Sequence, residues 1–378
     1  MRIQGTLKRL AARSPSAWPV LSVYVNTRPV VPQMATYRPF FKKRMAEELK
    51  VYPSRSPEYE SLAVDFGRVQ HYLDYDLRDS TQAATLFASY ADGDLFDAVQ
   101  LSAPFPGNLV SVAPLPTLYP LIRMADRYRR TAVAVADSNT ARLFVIALGA
   151  IELRREIRSP VVHKPRPSGD RDPAHSERPA EEAWAQHVRQ AARALEDVAG
   201  EVRASHLIVG GEKAVLAELV RHLSKAASEK LLGQPAWDIR IPEPELVADV
   251  DRIVEAHEAG ERRRRAKELI EASGSARGVL GLEPTLDALR QSRVAELVLS
   301  ETFPDATAWV CRACRSFGAG AAAEACPYCG RAELECVELR EEVGARAAAQ
   351  DARVHFVESK AVPEFDAAGG IGALLRQS

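Results

Sequence analysis

The chain has 378 residues, 46% of them hydrophobic and 27% charged, a length for two or three domains and the composition of an ordinary globular protein. Its formal net charge of −1 excludes a protein that coats nucleic acid by bulk attraction, because non-specific affinity scales with the number of phosphates neutralised. Lys8, Arg9 and Arg13 are followed by no apolar run of the kind a signal peptide needs, and no stretch is long and apolar enough to span a bilayer. A cytoplasmic location is therefore expected.

Leu21 to Asn26 is rich in β-branched and aromatic residues and stops before Arg28, Pro29 and Pro32, which predicts a strand and a turn. Thr85 to Tyr90, Ala98 to Leu101 and Leu109 to Val112 are further strand-like runs, and a helix is expected from Tyr119 to Arg130. The first domain, residues 1–129, thus reads as mixed α and β. Thr131 to Asp137, Ala141 to Leu148 and Ile151 to Ile157 predict three strands joined by turns at Ser138, Asn139 and Gly149. A proline-rich polar segment, Ser159 to Ala180, follows. Trp184, Val188, Ala191, Leu195, Val198 and Val202 then recur at helical spacing. A strand at His206 to Val209 runs into Gly210 and Gly211, and a helix reaches about Leu223. Alternation of this kind points to a sheet covered by helices.

Pro242 and Pro244 open a long helix that continues to about Ala272, and Ser273 to Gly278 read as a linker. The middle domain is accordingly residues 130–274, and residues 275–378 form the third. There Leu286 and Leu289 belong to the inner face of a helix, and Val294 to Leu299 is a strand. The fold class expected is α/β and α+β, multidomain.

Of the five cysteines, Cys311, Cys314, Cys326 and Cys329 form two C-x2-C pairs separated by eleven residues. Each pair places two thiolates on one tight turn, and two such turns suit one tetrahedral zinc ion in a ribbon over residues 309–332. A redox role needs one such pair, not two. Four protein thiolates leave no coordination site for water, which makes the zinc structural. Gly318 and Gly320 are expected to loosen the link between the pairs, and Cys336 to be a small core residue.

With the domains laid out, the chain resembles the archaeal and eukaryotic class-I peptide-release factors and their relative pelota, especially the bacterial members of that superfamily. Gly278 to Leu299 is similar to the family's entry into its third domain, and Gly369-Gly370-Ile371-Gly372 to its terminal segment. Without the family, that glycine cluster reads only as a turn. The resemblance implies a middle domain like RNase H and a pelota-type, RNA-binding-like third domain carrying an inserted zinc ribbon. In release factors the loop before the long helix carries Gly-Gly-Gln, whose glutamine positions the water that hydrolyses peptidyl-tRNA. Here that loop has the single glycine Gly169 and no glutamine, and Gln186 and Gln190 come later, on the helix itself. The Asn-Ile-Lys-Ser decoding motif is absent as well.

His163, Lys164, Arg166, Arg171, His175 and Arg178 in the loop could contact RNA phosphates, although Asp170, Asp172 and Glu177 offset most of that charge and a solvated loop is the plain alternative. Arg262 to Arg265 is the densest basic run, with Arg262 and Arg263 taken as candidate contacts. Consecutive residues point around a helix, so the four cannot all face one partner. Asp137 lacks a second carboxylate for nuclease chemistry, and His206 reads as structural.

The resemblance implies a non-catalytic factor that binds the ribosomal A site and its rRNA, as a monomer, in hibernation or rescue. A translational GTPase is a possible partner, and neither DNA nor a membrane is expected. Two other readings stay open. One is a peptidyl-tRNA hydrolase or release factor with a degenerate catalytic loop, the other an RNA-binding protein acting through its C-terminal domain.

Overall fold

The computed structural model describes residues 2–27, 37–79, 81–101, 103–127, 129–147, 149–159 and 173–376, and of residues 173–181 the backbone alone. It is a mixed α/β chain with several sheets, as the sequence leads one to expect. The chain divides into two compact units, residues 1–127 together with 259–378, and residues 128–258.

The N-terminal part of the first unit contains α1 (Arg2–Ala11), β1 (Val20–Asn26), α2 (Tyr37–Leu49), α3 (Pro57–Tyr75), β2 (Ala83–Ser89), β3 (Leu95–Leu101), β4 (Leu109–Ala113) and α4 (Tyr119–Arg127). The strands form an antiparallel sheet in the order β3-β2-β1-β4. Strand β1 is buried on both faces. Leu21, Val23 and Val25 join Phe41, Leu62, Phe66 and Val69 in one core, and the alternate side chains Ser22 and Tyr24 bond to Thr117 just before α4. In α3 the residues Leu62, Phe66, Val69 and Leu73 recur every three or four positions, and Ser56 caps the first turn by accepting from the Tyr59 N–H.

The second unit contains β5 (Thr131–Ala136), β6 (Thr140–Ala147), β7 (Ala150–Arg158), α5 (Pro173–Val202), β8 (His206–Gly211), α6 (Lys213–Arg221), α7 (Lys225–Ser228) and β9 (Leu231–Gly233). It also takes the first half of α8 (Glu243–Ala272). The sheet order is β7-β6-β5-β8-β9, antiparallel from β7 to β5 and parallel from β5 to β9. Alternation along β5 decides the layers, because successive side chains point to opposite faces. Ala132, Ala134 and Ala136 pack under α5 and α6, whereas Val133 and Val135 pack with Trp237, Leu246 and Val250. Small residues let a long helix lie close, and branched ones fill the other side.

The remainder of the first unit contains β10 (Gly278–Leu280), α9 (Leu282–Arg290), β11 (Val294–Ser300), β12 (Thr307–Cys311), β13 (Phe317–Ala319), β14 (Leu334–Glu338), α10 (Leu339–Ala349), β15 (Arg353–Val357), α11 (Pro363–Ala367) and β16 (Ile371–Leu375). One sheet runs β10-β16-β11-β15, the other β13-β12-β14. The terminal glycine cluster is more than a turn. Gly369 and Gly370 turn the chain with φ of 100° and 64°, and Ile371 to Leu375 continue as an inner strand of the first sheet. Gly372 is needed there, since a Cβ would lie 2.7 Å from both Leu269 Cδ2 and the Val279 carbonyl oxygen.

The two sequence-distant parts of the first unit are tied by Glu341. Its carboxylate accepts the N–H groups of Leu118, at 2.7 Å, and Tyr119, at 2.8 Å, capping α4 from α10. Burial raises this carboxyl from an ordinary value of 4.5 to about 7, against the pull of the two amides. A carboxyl raised on folding binds its proton better in the folded state. The stability it contributes is complete below about 4.5 and is lost as pH rises through about 7.

Two outcomes follow from this packing. Glu341→Gln should flatten the decline in unfolding free energy between pH 4.5 and 7 by an amount on the order of 3 kcal/mol, read by urea melts across that range. At Gly210 a Cβ would sit 2.1 Å from Trp237 Cε3, and Trp237 is held by its indole N–H on Asp249 at 3.0 Å. Gly210→Ala should therefore destabilise the second unit by about 1–3 kcal/mol, in thermal melts followed by tryptophan fluorescence.

Candidate metal centre and candidate RNA contacts

Strand β12 ends at Cys311, and the chain turns immediately. The Cys311 N–H donates to the Ser316 carbonyl at 2.9 Å, and the Arg315 N–H donates back to the Cys311 carbonyl at 2.9 Å, with Arg315 at φ 62°. The second pair repeats the pattern. Cys326 N–H donates to the Arg331 carbonyl at 2.8 Å, and Gly330 N–H to the Cys326 carbonyl at 2.8 Å, with Gly330 at φ 75°. Two turns of one design thus present two sulfurs each. Arg315 holds a left-handed conformation that glycine would take without cost, and its guanidinium is fixed on the Ala12 carbonyl at 2.8 Å.

The four sulfurs lie within 4.8 Å of one another, with Cys311 to Cys329 and Cys314 to Cys326 both at 3.6 Å. A tetrahedral ion bonded to sulfur at about 2.3 Å requires edges of about 3.8 Å, so the donor set fits such an ion. None of the four cysteines is in a disulfide, and two of them, Cys311 and Cys326, are buried against Trp309 and Leu334. Hydrogen bonds from the Ser316 side chain and backbone hold Cys314 down to about 6. An Arg331 backbone bond pulls the Cys329 thiol down, yet its bonds to the neighbouring thiols push it up to about 12. Thiols this close oppose one another's ionisation, and a cation between them removes that opposition.

Around the centre, two expectations are corrected. Gly318 sits in β13 opposite Trp309, and a Cβ there would meet the indole ring at 2.8 Å, so this glycine makes room for packing rather than loosening a loop. Cys336 is exposed rather than a core residue, although it lies opposite Trp309 on β12.

In the second unit Asp137 Oδ1 accepts the N–H groups of Asn139, at 2.8 Å, and Thr140, at 2.7 Å, which closes the turn between β5 and β6. Glu212 follows β8 at the position that matches Asp137 after β5, a pairing visible only once the two strands are known to be parallel neighbours. Among the described residues no acidic or histidine group assembles there as a metal site. His206 Nε2 lies 2.7 Å from Glu258 Oε1, with Arg129 Nε 3.5 Å from the same oxygen, so His206 fastens the start of β8 to α8.

Residues 116–258 match the model of the bacterial archaeo-eukaryotic release factor family 10. Over this segment the chain is similar to the bacterial branch of the archaeo-eukaryotic release-factor superfamily. Several solved structures are similar to the chain. A model of ribosome-bound archaeal Pelota and ABCE1 is 14% identical, with 99% of this chain and 94% of that one covered and a TM-score of 0.43. Pelota of Archaeoglobus fulgidus is 14% identical over 78% of this chain and 79% of that one, with a TM-score of 0.34. The C-terminal domain of a peptide chain release factor from Methanosarcina mazei is 22% identical over 38% of this chain and 98% of that one, with a TM-score of 0.28. No curated protein matches the chain significantly.

Within this release-factor-like segment, His163, Lys164, Arg166 and Arg171 lie outside the described residues. His175 and Arg178 lie on the first turns of α5, and their side chains are likewise outside the description. In α8 the basic run divides by face. Arg262 shares the inner face with Ala266 and Leu269 and is 5% exposed, whereas Arg263 is exposed beside Arg264, Lys267 and Glu268 along a shallow groove. As placed, Arg263 and not Arg262 offers its guanidinium to a partner. No helix of the described residues is long and apolar enough to cross a membrane.

The purified chain is expected to carry one equivalent of a thiolate-bound metal ion by elemental analysis. Cys326→Ser, or a strong chelator, should remove it and release the slow amide exchange of β12 to β14 while leaving β5 to β8 protected. Full protection of β12 to β14 without metal would count against the centre.

Proposed function

We propose that the chain is a ribosome-binding factor that occupies the A site without hydrolysing peptidyl-tRNA, in hibernation or rescue. The observation that supports it is a release-factor-like segment, residues 116–258, whose stretch from Ser159 to Ala180, running into the first turns of α5, contains no glutamine and a single glycine. A binding fold kept without the residue that positions the attacking water favours occupancy over turnover. His163, Lys164, Arg166, Arg171, His175 and Arg178 would then serve as phosphate contacts, with Arg263 on α8 as a further one. The ion held by Cys311, Cys314, Cys326 and Cys329 would be zinc, bracing the β12 to β14 ribbon without entering any reaction.

The full chain should cosediment with vacant ribosomes at moderate salt. Exchanging Lys164, Arg166, Arg171 and Arg178 together for glutamate should weaken that binding by tenfold or more. Absence of ribosome binding by the unaltered chain would sink the reading. Release of peptide from a peptidyl-tRNA complex would replace the non-hydrolytic part of it with a degenerate catalytic loop.

A further inference from the structure

The inner face of α5 is filled by Val188, Ala191, Ala192, Leu195 and Val198, all buried in the core of the second unit. Its outer face carries an open groove of about 480 Å³ lined by Gln186, Arg189, Gln190, Arg193 and Asp197, with Ile157 of β7 along one side. Gln186 with Gln190, and Arg189 with Arg193, are two pairs spaced one helical turn apart, and all four side chains are exposed. The rise between members of each pair is about 6 Å.

Neighbouring arginines are neutralised. On β7, Arg154 pairs with Glu243, Arg155 with Glu201 and Arg158 with Glu156. Among the described residues Arg189 and Arg193 have no ion-pair partner. Asp197 lies one turn beyond Arg193 without pairing to it, in the order along a helix that is the less favourable one.

We infer that this face of α5 binds the phosphodiester backbone of RNA. A guanidinium offers a planar fork of donors that matches phosphate oxygens, and two forks one turn apart can engage successive phosphates of one strand. Each carboxamide both donates and accepts, so Gln186 and Gln190 can bridge a phosphate oxygen and a ribose 2′-hydroxyl. A protein partner needs a buried apolar or aromatic anchor, and the groove supplies only Ile157 and Ala194. Contacts of this kind set position and carry no sequence preference. The inference deepens the ribosome reading and rests on it only for the source of the RNA.

The test uses the full chain and a fluorescein-labelled RNA hairpin, with anisotropy titrations over a series of potassium chloride concentrations. Four proteins are compared, namely the unaltered chain, Arg189→Glu with Arg193→Glu, Arg189→Gln with Arg193→Gln, and Arg221→Glu with Arg240→Glu, which makes the same charge change as the first pair at exposed residues away from the groove. The unaltered chain should bind. The groove pair should lose tenfold or more in affinity, and the slope of log affinity against log salt should shrink by about 1.4 to 1.8. The control pair should lose less than threefold. Arg189→Gln with Arg193→Gln, which keeps the surface neutral and polar, should melt like the unaltered chain and still bind weakly. No hairpin binding by the unaltered chain, or equal losses in the groove and control pairs, would overturn the inference. So would tighter binding of a polyglutamate peptide than of the hairpin, which would reassign the groove to an acidic protein. Cosedimentation of the unaltered chain with ribosomes is scored separately. Hairpin binding without cosedimentation overturns the ribosome reading alone, and cosedimentation without hairpin binding overturns this inference alone.

Discussion

The carboxylate of Glu341 on the first amides of α4 is the contact on which the first unit depends. A helix begins with N–H groups that have no partner of their own, and α4 begins inside a packed region where water cannot serve them all. The acceptor comes from a residue more than two hundred positions away. Around it the Tyr119 ring receives the Arg340 guanidinium at 4.7 Å and meets the Phe356 ring edge-on at 5.5 Å. One turn on, Arg123 and Arg127 reach Glu301 at 3.3 and 3.0 Å, and Asp126 lies 3.6 Å from His355. Each of these joins residues 118–127 to residues 301–356. The two ends of the chain are one body because a helix that closes the first part is capped, stacked and charge-paired by the last.

The ribbon obeys a different constraint. Ala308, Val310 and Phe317 bury one face of its strands, but the cluster on the cysteine side amounts to Trp309, Cys311, Cys326 and Leu334, too few to fix the two cysteine turns by burial alone. Small sheets of this kind need a cross-link, and the geometry supplies one in the form of two matched turns that aim four sulfurs at one point. Arg315 shows how the rest of the unit supports them. Its backbone takes a conformation that costs a non-glycine residue, and its side chain is anchored to the chain after α1.

What was legible in the sequence follows from the range of the interaction concerned. The alternation of alanine and valine along Thr131 to Ala136 gives both the strand and its two faces, and the spacing of Val188, Ala191, Leu195 and Val198 gives the inner face of α5. The cysteine spacing gives the metal-ligand geometry because both turns are local. The helical spacing of Leu62, Phe66, Val69 and Leu73 was equally local, yet α3 and the shorter α1 and α10 were not anticipated beside the stronger strand signals around them. The Glu341 cap, the packing of Trp309 on Gly318 and the close approach of Leu269 to Gly372 depend on chain segments that meet only after folding. No local pattern announces them. Along α8 the 3.6-residue repeat already implies that the run from Arg262 to Arg265 divides, and what needed the structure is which face is buried, with Arg262 inside and Arg263 outside.

Charge balance bears on how the chain would hold RNA under the proposed function. With 50 basic and 51 acidic residues, most guanidinium groups have a carboxylate within reach, and long-range attraction to a polyanion is weak. Affinity must then come from the few cations left unpaired, each displacing a counterion from the RNA and each screened by salt. A factor of this type associates where several such contacts are presented together and lets go when ionic strength or geometry changes. That suits occupancy of a site that must later be vacated better than it suits permanent assembly. It also explains why a loop without the hydrolytic glutamine need not be a relic. On the proposed reading, in which turnover is not the task, the residues that matter are those that position the protein, and positioning depends on where unpaired charge is placed on a rigid element. In the second unit that element is α5, whose inner face is fixed by the core and whose outer face therefore keeps its cations in constant register.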